Sequence, residues 1–216
     1  MKIYGANLSP YVRKVLVVAI HKGLEFEHEV VLPGSDDPGF RKISPMGKIP
    51  ALVDGELAIS DSTVICEYLE DQYPEVKMRP DDPAQRARAR WYEEFGDSRM
   101  AEVFGNHFFE RFVKPLMGDN SGPDEARLQD LAENVAPPAL SYVESQVPES
   151  GFLFGDDLYI ADISLVSSTV NGAYAGYGID ADQYPRTVAY RARVLSQPAV
   201  EKALAAEKAM LESFTG

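Results

Sequence analysis

Residues 43–74 read ISPMGKIPALVDGELAISDSTVICEYLEDQYP, and most of the architecture can be worked outward from them. Two apolar runs, ALV and LAI, flank Asp54-Gly55. An Asp-Gly pair between apolar runs is the strongest short-range hairpin signal, so residues 49–59 read as a β-hairpin. Ser60-Asp61-Ser62 then opens a helix that carries Val64, Ile65, Tyr68 and Leu69 on one face.

Upstream, KIYG (2–5) reads as a short strand. Pro10 to Lys22 follows at helical period through Val12, Val15, Leu16, Ala19 and Ile20, and Gly23 stops it. FEHEVVL (26–32) is a second strand, PGSDDPG (33–39) a loop, and FRKIS (40–44) one helical turn or two. This order is a compact α/β unit over residues 1–77. RPDDP (79–83) is a charged, proline-rich linker. Beyond it the pattern is all-α over 84–216. A first helix runs through Trp91, Tyr92 and Phe95 to Leu116, and the segment from Gly118 to Pro123 breaks it. A stripe at Leu128, Leu131, Val135, Leu140, Val143 and Val147 should kink or split at Pro137-Pro138. Further helices start near Ile160 and run from Pro198 to Ser213.

The 216 residues carry 21 Lys and Arg against 34 Asp and Glu, a net charge of −13. So acidic a chain, without a basic block, argues against nucleic acid or an anionic membrane as its main partner. Cys66 is the one cysteine, so no internal disulfide forms, which suits a reducing compartment. The start, MKIYGANL, has no apolar secretory segment, and no apolar run reaches the ~18–20 residues of a membrane span. The expected location is cytoplasmic.

Three short stretches each admit two readings. Ser9-Pro10 is a good helix start, because serine oxygen caps free amides and proline suits the first helical position. The same serine could be a catalytic hydroxyl. Pro50 is either an ordinary strand-entry proline or a cis proline that leaves the Ile49 backbone open to an extended ligand. Asp61-Ser62 is either a cap or an amino-acid site, with the helix end and Ser62 hydroxyl on a carboxylate and Asp61 on an ammonium. His21, His28 and His107 lack metal-ligand spacing, so no metal is expected. There is no glycine-rich phosphate loop.

Taken in order, SPYVRKV, GKIPALV and SDSTVICEYL, followed by GFLFGDDLYIADISL (151–165), resemble the cytosolic glutathione transferases over nearly the whole chain. The resemblance implies an α/β, thioredoxin-like N-terminal domain and an all-α C-terminal domain. It also implies glutathione as co-substrate and a homodimer. Asp61 and Ser62 would hold the γ-glutamyl end, and Ile49 with cis Pro50 the cysteinyl backbone. Lys48 would lie near the glycine carboxylate or the backbone, with Arg41 or Lys42 helping, and Ser9 would activate the sulfur. The helical domain would add a pocket for a hydrophobic electrophile, from Tyr11, His107, Phe108, Arg111, Phe112 and Tyr174, with Tyr177 either lining it or packing.

Two positions depart from the family pattern. Asp61 replaces the usual Glu, and Tyr159 stands where a Ser or Thr usually caps the helix carrying Asp162. An isomerase, dehalogenase or peroxidase using glutathione, or a non-enzymatic binding module, are the alternatives. The isomerase type usually carries a second serine where Pro10 and Tyr11 stand.

Overall fold

Ile3 and Leu52 are both wholly buried and face each other across a strand pair, which centres the first core on the sheet. The computed structural model describes residues 1–215. It divides into two compact units: Met1–Arg79 together with the segment from Ser196 onward, and Pro80–Leu195.

In the first unit, β1 (Lys2–Tyr4), β2 (Glu27–Glu29), β3 (Ala51–Asp54) and β4 (Leu57–Ser60) form one sheet in the order β2-β1-β3-β4. β1 pairs parallel to β2 and antiparallel to β3, and β3 and β4 form the expected hairpin. β2 covers only Glu27–Glu29 and not all of 26–32. It is an edge strand, its one neighbour β1 is three residues long, and Val30 and Leu32 lie about half exposed beyond that neighbour's reach.

Helices α1 (Pro10–His21), α2 (Pro38–Ile43) and α3 (Ser62–Gln72) complete the α/β unit. α1 ends as anticipated at Gly23, whose φ of 69° is a conformation glycine takes without strain. Every residue of α1 from Val12 to Ala19 is buried, including Arg13 and Lys14, so this helix is a core element and not a one-faced one. α2 starts earlier than FRKIS, because Asp37 accepts from the Phe40 N–H at 2.7 Å and Pro38 fits the first turn. The last helix, Pro198–Thr215, also belongs to this unit, whereas its sequence position had grouped it with the second domain.

The second unit is helical throughout. The helix α4 (Pro83–Phe95) continues without a break to Leu116, widening to i+5 hydrogen bonding over Gly96–Gly105 and Phe109–Val113. The proline pair does not split the next helical run, which is continuous from Glu125 to Gln146: the turn ahead of it widens to i+5 hydrogen bonding over Leu131–Val135, and both prolines sit where the α-helix Ala136–Gln146 begins. A helix over Pro185–Leu195 was not anticipated.

The central helix, Ile160–Tyr174, is buried from Ile160 through Gly172. Its start is secured through Asp162, which accepts from Tyr159 N–H at 2.8 Å, Leu153 N–H at 2.9 Å and the Tyr190 hydroxyl at 2.5 Å. These three donors fix the helix entry despite the Tyr at position 159. Among the described residues, no helix is long and apolar enough to cross a membrane.

Candidate functional site

Ser9 has extended backbone angles and sits immediately before Pro10, so it is the N-cap of α1. Its Oγ accepts from the Val12 N–H at 3.4 Å. That bond uses an oxygen lone pair and leaves the hydroxyl hydrogen unspent. Among the described residues, no acceptor is hydrogen-bonded to it. A donor at a helix N-terminus, beside the positive end of the helix dipole, suits an anionic acceptor.

The second element is the Ile49–Pro50 peptide, which is cis. The turn before it is braced: the Ser44 hydroxyl donates to the Lys48 carbonyl at 2.7 Å, and Gly47 N–H donates to the Ser44 carbonyl at 2.8 Å. After it, the Pro50 carbonyl accepts from Asp61 N–H at 3.3 Å, which ties this turn to the start of α3. No hydrogen bond among the described residues uses the Ile49 N–H or C=O.

The third element is that start. Asp61 takes a φ of 92°, the one positive φ at a non-glycine residue among those described. Such a conformation is costly for an L-residue and is held only where its surroundings over-determine it. Here Asp61 Oδ1 accepts from Thr63 N–H at 2.9 Å and Val64 N–H at 3.2 Å, while Asp61 N–H is taken by Pro50. The carboxylate is exposed, and Ser62 beside it is buried with its N–H and hydroxyl in no hydrogen bond among the described residues. Lys14, fully buried on α1, donates to Thr63 Oγ1 at 3.2 Å. An amine is therefore built in one residue beyond Ser62. Lys14 carries no signal in the sequence, because nothing local distinguishes a buried lysine from a solvated one.

The three basic candidates differ. Lys42 and Lys48 are exposed. Arg41 is engaged with its own loop, donating to the Ser35 carbonyl at 2.7 Å and pairing with Asp36 at 3.0 Å. Its guanidinium lies so close over Gly47 that a Cβ there would fall 2.7 Å from Cζ.

Tyr11 lies half-buried on α1 of the first unit. In the second unit, Phe108 stacks on Phe112 at 5.1 Å and meets Tyr174 at 6.4 Å. Arg111 lies 3.4 Å from His107 Nδ1 and 3.2 Å from Glu125. Tyr177 lies flat on His107, with ring centroids 3.8 Å apart. Gly172 permits this turn, because a Cβ there would sit 2.6 Å from the Phe104 ring and 2.8 Å from the Tyr177 carbonyl. Burial, with the Arg111 charge adding to it, holds the His107 imidazole below its ordinary 6.5 against the opposing Glu125. Among the described residues, no group of three or more His, Cys, Asp or Glu is placed to hold a metal.

A βαβαββα unit with a cis proline before its third strand, joined to a helical unit, defines a thioredoxin-like domain with an all-α companion. The glutathione S-transferase N-terminal domain profile matches residues 3–77, and the C-terminal domain profile matches residues 106–207. The chain belongs to the glutathione S-transferase family of enzymes. A glutathione S-transferase of Triticum aestivum is 28% identical over 94% of this chain and 92% of its own length. A zeta-class glutathione S-transferase of Euphorbia esula is 30% identical over 86% of this chain and 81% of its own. The crystal structure of a glutathione S-transferase from Rhodospirillum rubrum superposes with a TM-score of 0.83 at 29% identity, covering 94% and 91% of the two chains.

Proposed function

We propose that this enzyme binds glutathione on its first unit and activates the thiol through Ser9 for attack on a hydrophobic electrophile. The observation that carries the reading is the Ser9 hydroxyl, which accepts from Val12 and keeps its hydrogen for another acceptor at the α1 N-terminus. A free thiol titrates near 8.5, and only its thiolate is a good nucleophile. A hydroxyl donated to sulfur, together with the helix dipole, favours the thiolate. A shift of about two units makes most of the bound thiol anionic near neutral pH.

The other contacts follow from unused groups. The Ile49 N–H and C=O pair with the cysteinyl backbone of glutathione. The Ser62 N–H and hydroxyl receive its γ-glutamyl carboxylate, and the free oxygen of Asp61 takes the ammonium. Lys48 and Lys42 are the candidates for the glycine carboxylate; Arg41 serves the loop that carries Lys48. His107, Phe108, Arg111, Phe112 and Tyr174 on the second unit are the candidates for the electrophile, and Tyr11 is a candidate on the first unit. The protein acts as a cytoplasmic homodimer.

Retention on immobilised glutathione tests the binding. The mechanism is tested by ultraviolet titration of the bound thiolate in wild type and Ser9→Ala. An unchanged thiol pKa in Ser9→Ala removes Ser9 from this role.

A further inference from the structure

Gly5 is where two of the glutathione-binding elements meet. Its φ is 142°, and a Cβ on it would lie 2.5 Å from Val12 Cγ2 and 3.1 Å from Ile49 Cβ. Its backbone is therefore wedged between the first turn of α1, which Ser9 caps, and the residue that precedes cis Pro50. Both of its polar groups are held by β2. Gly5 N–H donates to the Glu29 carbonyl at 2.9 Å, and its own carbonyl lies 2.8 Å from His28 Nε2. A carbonyl oxygen only accepts, so Nε2 carries the proton in this contact. From Gly5 the chain runs through Ala6, Asn7 and Leu8, all buried, to Ser9, whose N–H donates to the Ala6 carbonyl at 3.0 Å. Between His28 and Ser9 there is no exposed segment to absorb a displacement.

We propose that His28 is a positioning residue for Ser9, fixing the Gly5–Leu8 connection so that the Ser9 hydroxyl is set for the sulfur. This rests on the reading of Ser9 given above. His28 touches no reacting atom; its effect passes through the Gly5 carbonyl. Sequence spacing alone marks it as one of three scattered histidines without metal-ligand spacing. Its partner is a backbone oxygen 23 residues away, which no side-chain pattern reveals.

The test compares wild type with His28→Phe, which keeps a ring and removes the donor, and His28→Gln, which keeps an N–H. Three quantities are measured: the glutathione dissociation constant, the pKa of the bound thiol, and turnover of 1-chloro-2,4-dinitrobenzene. A misplacement of 1 Å costs on the order of 100-fold in rate, so a partial shift of Ser9 should lower kcat about tenfold in His28→Phe. The thiol pKa should rise, the dissociation constant should stay within about twofold, and Gln should restore most of the rate. In the wild-type protein, the His28 Nε2–H resonance should move on saturation with glutathione. An unchanged thiol pKa in folded His28→Phe, equal defects in Phe and Gln, or an unmoved resonance each overturn the proposal. Those results leave the Ser9 reading standing if Ser9→Ala still raises the thiol pKa. Failure of wild type to bind glutathione sinks both.

Discussion

Arg13 and Glu207, 194 residues apart in sequence, form a buried two-point ion pair: Nε meets Oε1, and Nη2 donates to Oε2 at 2.7 Å. Both side chains are about 1% exposed. The pair joins the last helix, Pro198–Thr215, to α1 one turn after Ser9, and the Arg13 N–H donates to the Ser9 carbonyl at 2.9 Å. Removing one partner of such a pair leaves an uncompensated buried charge, at a cost of about 3–5 kcal/mol. Glu207→Ala should lose about that much in urea unfolding. The double change Arg13→Met with Glu207→Leu should recover most of it, because apolar replacement also removes the desolvation penalty. A double variant no more stable than Glu207→Ala would show that the cost lies in packing and not in the orphaned charge.

That pair marks the limit of what the sequence made legible. Patterns that repeat over a few residues were readable: the Asp54-Gly55 hairpin, the Gly23 stop, the caps at Ser9 and Asp61. Each depends on neighbours within one turn or one strand pair. The apolar stripe of α1 was readable too, but Arg13 and Lys14 were not recognisable as core residues. Their burial is created by Glu207 and Thr63, which the fold brings to them from far along the chain. The length of β2 was overread for a similar reason, since an edge strand extends only as far as its partner. At the site, the residue types and their order were visible, whereas the positive φ of Asp61 and the engagement of Arg41 by its own loop depend on three-dimensional closure.

Ser9 has two tasks, and two substitutions separate them. Ser9→Ala removes both the cap and the donor, and loss of a serine cap costs about 0.5–2 kcal/mol. Ser9→Gly removes the donor but is tolerated at an N-cap to within a few tenths of a kcal/mol. Both variants should raise the thiol pKa of bound glutathione alike, while only Ser9→Ala should unfold at clearly lower denaturant. If Ser9→Gly keeps the wild-type thiol pKa, the serine is a cap and nothing more.

Gly96 illustrates a constraint within the second unit. A Cβ there would lie 2.5 Å from the backbone carbon and oxygen of Ser164, atoms that cannot swing aside as a flexible side chain can. Gly96→Ala should therefore destabilise by about 1–3 kcal/mol, as overpacking does, outweighing the ~1 kcal/mol that alanine gains over glycine in a helix. Gly105 is the control, because a Cβ on it meets nothing within 4 Å. Gly105→Ala should hold or raise the urea midpoint. Equal shifts in the two variants would show that the Gly96–Ser164 approach is not tight in solution.

In the folded chain, burial and then the Arg111 charge hold the His107 imidazole below 6.5, with Glu125 opposing. In the unfolded chain it titrates at its ordinary value. Between that value and the lowered one, the unfolded state binds a proton that the folded state does not. Unfolding free energy therefore rises with pH there, and the stability tied to His107 is lost as pH falls below 6.5. Buried Asp162, whose carboxyl burial pushes up, works in the opposite direction. The measurement is thus a difference: urea unfolding of wild type and His107→Phe at about pH 7.5 and about pH 5.5. Phenylalanine keeps a ring against Tyr177 and cannot take up a proton. Wild type should lose more stability than the variant on acidification. The same loss in both would mean that His107 titrates in the folded protein as it does in the open chain.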